Sequence, residues 1–260
     1  MPIVSSEGVR LAVDVHGRGE PVTLVGHGLT GNRTDLAVLA PFIPGTKVMF
    51  DFRGHGESER PGPGSYSMDA FAADVDNVAA AFGATRLVGV SLGGGATLRL
   101  LHRKPDLFER LVFVFPARLE ESGSVRAKFL RLADLLETRP LPEVADAVVA
   151  EEEAEGSFAE QPGARDLRML AVLAMNSDGI PHAIRETLDD PPLRDPDGLA
   201  RVTAPALVIG QEGDSIHRAE VARELAETLP NAELVLYPDR FALIREIPSL
   251  TRRIAEFLQG

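Results

Sequence analysis

Leu87-Val88-Gly89-Val90-Ser91-Leu92-Gly93-Gly94-Gly95 decides how this chain is read. An apolar run of strand character, Arg86 to Val90, passes through Gly-x-Ser-x-Gly into Leu92 to His102. That second segment reads as a helix despite the glycines at its start. So sharp a turn strains the serine backbone, and Gly89 and Gly93, two residues to either side, relieve the crowding. The serine oxygen is then presented above the strand end, at a helix N-terminus. Partial positive charge and free N–H groups there favour a developing anion. Gly-x-Ser-x-Gly alone is a weak signal, and its ordinary alternative is a glycine-rich turn that only packs a helix closely on a strand. The strand-turn-helix context argues for an exposed, reactive Ser91.

Outward from this turn, short apolar runs alternate with amphipathic ones. Val9 to Val15, Val22 to Val25, Lys47 to Phe50 and Leu111 to Phe115 read as strands. Met68 to Phe82 sets Phe71, Val75, Val78, Ala79 and Phe82 at helical spacing, and Gly83 ends it. Such alternation predicts an α/β class with a mostly parallel, twisted sheet flanked by helices. After Pro116 the pattern turns all-helical, with helices expected over Ser124 to Glu137, Pro142 to Glu155, Ala164 to Met175 and Ile180 to Leu188. Strand and helix then resume with Ala206 to Gly210, Arg218 to Leu229, Glu233 to Tyr237 and Ser249 to Leu258. The expected organisation is a core of residues 1–118 and 199–260, with a helical insert over 119–198.

The chain has 260 residues and a formal net charge of −12, and it contains no cysteine. Disulfides, a thiol nucleophile and cysteine-ligated metals are thereby excluded. The acidity repels nucleic-acid phosphates and anionic lipid headgroups, so neither is expected as a partner. No apolar run reaches spanning length and Met1 to Arg10 lacks signal-peptide character, so a cytoplasmic protein is expected. The run Glu151-Glu152-Glu153 with Glu155 reads as a solvated helix face, and neither metal nor organic cofactor is implied.

Two further segments give the pattern its context. Leu24-Val25-Gly26-His27-Gly28-Leu29-Thr30-Gly31 follows the second strand, and Asp51-Phe52-Arg53-Gly54-His55-Gly56-Glu57-Ser58 follows the third. With the serine turn, this order resembles the α/β-hydrolase superfamily, in the branch with an "HG" loop, an "RGHGxS" turn and a helical cap. The resemblance covers Val9 to about Ala117 and resumes near Leu199. It implies an α/β-hydrolase fold, Ser91 as nucleophile and an oxyanion hole formed by the backbone N–H groups of Leu29 and Leu92. It also implies that Asp214, at the end of Pro205 to Asp214, is the acid, against the alternative of an ordinary helix-capping aspartate. Glu120 or Glu121 is a weaker substitute. His27 and His55 are expected to organise turns.

The resemblance breaks at the base. A histidine is expected after the last strand, but Leu234 to Leu243 contains none, and the position falls near Arg240. Arginine stays protonated and cannot serve as a base, although Arg240 could contact substrate. The six histidines are His16, His27, His55, His102, His182 and His217. His102 reads as a surface residue near the end of the serine helix. His182 lies in the insert. His217, three residues after Asp214, is the one placed by sequence near the acid, and it reads either as a helix cap or as a relocated base. Three functions stay open. The first is ester, lactone or thioester hydrolysis of a small molecule through Ser91. The second is a non-hydrolytic enzyme on the same scaffold with an incomplete triad. The third is a catalytically silent ligand-binding protein. Leu130, Leu135, Leu136, Phe158, Leu170, Leu173, Ala174 and Met175 could line the insert's inner side.

Overall fold

A computed structural model describes residues 2–117, 123–155, 163–193, 196–239 and 245–260. Eight strands form one sheet: β1 (Ile3–Ser6), β2 (Val9–His16), β3 (Val22–Gly26), β4 (Thr46–Phe50), β5 (Arg86–Val90), β6 (Arg110–Val114), β7 (Ala206–Gln211) and β8 (Ala232–Tyr237). Their spatial order is β1-β2-β4-β3-β5-β6-β7-β8. The pairs β1–β2 and β2–β4 are antiparallel, and every later pair is parallel. This is the α/β architecture that the alternating pattern predicts.

The central strands β3 and β7 are buried along their whole length, as their unbroken apolar runs require when helices cover both faces. One face packs against α1 (Met68–Phe82) and α2 (Leu92–Leu101), with Leu24, Phe50, Leu87, Leu111 and Val208 meeting Phe71, Val75 and Leu100. Side chains of Val25, Met49, Val88, Val112 and Ile209 emerge on the other face, beneath Leu250, Ile254 and Leu258 of the last helix. Alternate residues of each strand thus feed two separate cores.

Among the described residues, four α-helices run between β6 and β7, which are neighbours in the sheet: α3 (Gly123–Thr138), α4 (Leu141–Ala154), α5 (Ala164–Leu173) and α6 (Ile180–Thr187). Among the described residues, α7 (Ala219–Thr228) and α8 (Ile247–Gln259) follow. The four helices expected between Ser124 and Leu188 match these elements closely, but their expected lining divides. Leu135, Leu136 and Met175 are buried, whereas Leu170 and Leu173 are exposed, at 62 % and 39 %. Those two leucines point away from the core, because α5 turns its Ala164 and Val172 inward instead. Phe158 lies outside the described residues. The acid run on α4 is held by partners on its neighbours, Arg131–Glu151, Arg168–Glu152 and Lys128–Glu155.

Beneath the serine turn, the Asp51 to Ser58 loop is set by buried charge. Asp51, fully buried, accepts hydrogen bonds from the Arg33 N–H at 2.7 Å, the Arg33 guanidinium and the Glu57 N–H at 2.9 Å. Arg53 pairs with the buried Asp74 of α1 at 2.7 Å, and its own N–H donates to the same carboxylate at 3.1 Å. Removing one member of a buried pair leaves a stranded charge, which costs about 3–5 kcal/mol. Asp74→Ala should therefore lower the urea unfolding free energy by about that amount, and a loss below about 1 kcal/mol would show the pair to be dispensable.

Candidate active site

Ser91 sits between β5 and α2 with φ 47° and ψ −106°, in the left-handed region that bulky residues avoid. The turn survives because its surroundings admit no other path. The Ser91 N–H donates to Val114 O at 3.0 Å, and the Gly93 N–H donates to His27 O at 2.9 Å. A methyl group on Gly93 would meet Gly26 O at 2.5 Å, so only glycine lets the helix start approach β3 so closely. The strain is backbone strain at a candidate functional residue, where it commonly concentrates.

A histidine reaches Ser91 from the loop after β7. His217 Nε2 lies 3.1 Å from Ser91 Oγ, and His217 Nδ1 lies 3.1 Å from Asp214 Oδ2. A carboxylate only accepts, so Nδ1 carries the proton that it donates to Asp214. In the neutral ring Nε2 is then free to accept the Ser91 hydroxyl proton. Asp214 Oδ1 accepts from the N–H groups of Ile216 at 2.8 Å and His217 at 3.0 Å, while Gln211 Nε2 donates to Oδ2 at 2.7 Å. Burial is the largest single influence on this carboxyl and disfavours its charge. The hydrogen bond and charge of His217, with the two N–H groups, outweigh burial and hold Asp214 well below the usual carboxylate range. The Phe115 ring covers one side of the imidazole, 6.0 Å between centroids.

Neither capping alternative describes these side chains. Helix α7 takes Arg218 as its N-cap, with no side-chain capping bond, and the His217 ring is turned to Asp214 and Ser91. The stretch after β8 does lack histidine; the loop after β7 supplies one instead. Arg240 lies outside the described residues, as do Glu120 and Glu121. His182 stacks on Tyr66, with ring centroids 5.9 Å apart. His102, expected at the surface, is half-buried, its ring so close to Gly198 that a methyl there would lie 2.1 Å from Nδ1.

The Leu29 and Leu92 N–H groups have no acceptor among the described residues. The HG loop approaches the serine closely, since a methyl on Gly28 would lie 3.6 Å from Ser91 Cβ. His27 orients the peptide that bears the Leu29 N–H. Its Nε2 accepts from the Phe52 N–H at 3.1 Å, so Nδ1 must carry the proton and donate to Gly28 O at 2.7 Å. Gly28 C=O and Leu29 N–H belong to one planar unit and point in opposite directions. Burial and the charge of His55 push His27 well below the ordinary histidine value, so it stays neutral. His55 is buried with its ring nitrogens 2.7 Å from Leu29 O and 2.9 Å from Arg53 O. Both histidines organise turns, as expected.

Residues 21–139 match a family model described as alpha/beta hydrolase fold. The chain has the α/β-hydrolase fold. An enol-lactonase from Burkholderia xenovorans superposes with a TM-score of 0.83 at 21 % identity, covering 100 % of both chains. An esterase from Exiguobacterium antarcticum gives 0.82 at 17 % identity and 99 % coverage of both. An uncharacterised protein of Mycobacterium tuberculosis is 33 % identical over 113 residues, 41 % of this chain and 32 % of that protein. The match therefore spans about a third of that relative's length. On this hydrolase-fold core, Phe115 is the site neighbour that the sequence did not point to. The run Leu111 to Phe115 read as strand throughout, whereas β6 ends at Val114 and Phe115 turns to φ 51°.

The depressed Asp214 carboxyl makes stability depend on pH. With its folded-state value below the ordinary ~3.9, it contributes stability above that value and loses it as pH falls through the folded-state value. Asp214→Asn should unfold at lower urea than the natural protein at neutral pH, and the gap should shrink on acidification below about pH 4. A gap independent of pH would show that the carboxylate charge contributes nothing.

Proposed function

We propose that the protein hydrolyses a small carboxylic ester, lactone or thioester by nucleophilic catalysis. The observation that carries this reading is the unbroken hydrogen-bond chain from Ser91 Oγ through the His217 imidazole to the Asp214 carboxylate. A serine hydroxyl without an adjacent base is a weak nucleophile, and the contact of His217 Nε2 with Ser91 Oγ supports its role as that base. His217 takes the hydroxyl proton as Ser91 Oγ bonds to the carbonyl carbon. The N–H groups of Leu29 and Leu92 hold the resulting oxyanion. Collapse expels the alcohol, thiol or ring oxygen, which leaves with the proton from His217. Water, deprotonated by the same imidazole, then releases the acid and restores Ser91. Asp214 keeps the imidazole in the required tautomer and stabilises its cationic form.

This chain of contacts favours hydrolysis over a non-hydrolytic or silent pocket, because neither of those needs a serine aligned on an imidazole and a carboxylate. The esterase and the enol-lactonase share the fold, which makes esters and lactones the first substrates to try. Helices α3 to α6 serve as the cap, covering the site and shaping what enters it. The partner is a small molecule, the compartment the cytoplasm.

A p-nitrophenyl ester series tests the reading. The natural protein should turn over the shorter esters and be labelled at Ser91 by a fluorophosphonate. Ser91→Ala should abolish labelling and lower kcat/KM by at least about 10³-fold, with Ser91→Ala/Asp214→Asn scarcely worse than Ser91→Ala alone. Ester turnover that survives Ser91→Ala would refute the proposal.

A further inference from the structure

At the strand ends opposite Ser91, a single register row gathers positive charge. Thr23 of β3 pairs with Lys47 of β4 on one side and Arg86 of β5 on the other, and Arg86 pairs with Arg110 of β6. Paired residues face the same side of a sheet. Two positions further along each strand, Val25, Met49, Val88 and Val112 pack under α8, so the whole row lies on the α8 face, just beyond that core. The Arg110 guanidinium lies over the Phe257 ring at 5.5 Å and donates to Phe257 O at 3.1 Å. Lys47 is buried, and its Nζ donates to Gly45 O at 3.2 Å.

None of these three cations pairs with a carboxylate among the described residues, in a chain where acids outnumber bases by 39 to 27. Arg33, Arg53, Arg99 and Arg185 each hold at least one carboxylate. Arg86 Nε and the Thr23 hydroxyl are buried without a hydrogen-bond partner. Two half-buried guanidinium groups start from Cα positions about 4.8 Å apart, one strand spacing. Burial and the charge of Arg110 weigh against the Arg86 cation, and Glu109 offsets them in part.

We propose that Arg86 and Arg110 bind a small oxyanion of the phosphate type, with Lys47 and Thr23 adding field and polarity from the same row. Planar guanidinium forks match the oxygens of such an anion two at a time. The anion neutralises like charges that the fold otherwise holds side by side. From Arg86 to Val90 the strand runs about 13 Å, so this site and the serine are at opposite ends of β5.

Calorimetric titration of the full chain with inorganic phosphate, at constant ionic strength in chloride, tests the assignment. Saturable one-to-one binding is expected, with a thermal midpoint that climbs with phosphate concentration. Arg86→Met and Arg110→Met should each weaken binding at least about tenfold, the loss of one charged hydrogen-bonding partner. Arg60→Met, in the loop that leaves the carboxyl end of β4 and in an exposed pair with Asp178, should leave binding unchanged. Arg86→Met should also unfold no earlier than the natural protein without phosphate, which separates lost binding from lost folding. Arg86→Lys, with the charge but not the fork, should bind weakly and stay folded. Glycerol phosphate, titrated in parallel, distinguishes an organic phosphomonoester, bound more tightly than phosphate, from the free ion, bound at least as well. No saturable heat, or an equal phosphate effect on the natural protein and both arginine variants, would overturn the site.

Discussion

The Asp214 carboxylate divides its two oxygens between backbone and side chain, and the rest of the site depends on that division. Oδ1 closes the loop after β7 through the Ile216 and His217 N–H groups. Oδ2 meets the His217 ring and the Gln211 amide. Asp214 and His217 therefore stand on one short loop, three residues apart, and a single turn fixes both. The loop needs β7 beside β6, and β6 beside β5, to bring that ring to Ser91. A hydrogen bond to an ionised acceptor is stronger than a neutral one, so the loop closure and the imidazole orientation reinforce each other.

Ser91 was legible because its signal is local: a strand, two glycines and a helix start are set by sterics within a few residues. The two histidine-glycine loops were legible for the same reason. Asp214 followed from its place after a buried strand. His217 was only half-legible. Its closeness to Asp214 is written in the sequence, but whether its ring turns to the serine depends on which strands neighbour β7, and no local pattern encodes that. The orientation of α5 was likewise hidden, since Leu167, Leu170 and Leu173 have the spacing of a core stripe and yet face outward. Phe115 was masked by its own hydrophobicity, which reads as strand although its backbone turns away from one.

The two ends of β5 illustrate how one sheet separates tasks. At the carboxyl end, strand termini converge on Ser91, where open α/β sheets ordinarily place ligands. Buried ion pairs below it, Arg33 with Asp51 and Arg53 with Asp74, lock the loops that hold the HG segment in place. Such pairs contribute definition of position more than net stability. At the amino end, the cations of Lys47, Arg86 and Arg110 pair with no carboxylate among the described residues. The same covalent frame thus carries a charge-balanced end and a charge-frustrated one.

The central claim is that the base has moved to His217, and the rate at which a fluorophosphonate labels Ser91 measures this without reference to any substrate. Labelling requires an activated hydroxyl and an oxyanion site but no turnover. His217→Ala should slow labelling by at least about 10³-fold while circular dichroism and the unfolding midpoint stay near those of the natural protein, and added imidazole should restore part of the rate. Labelling of folded His217→Ala at the natural rate would show that another group activates Ser91, and the account would fail.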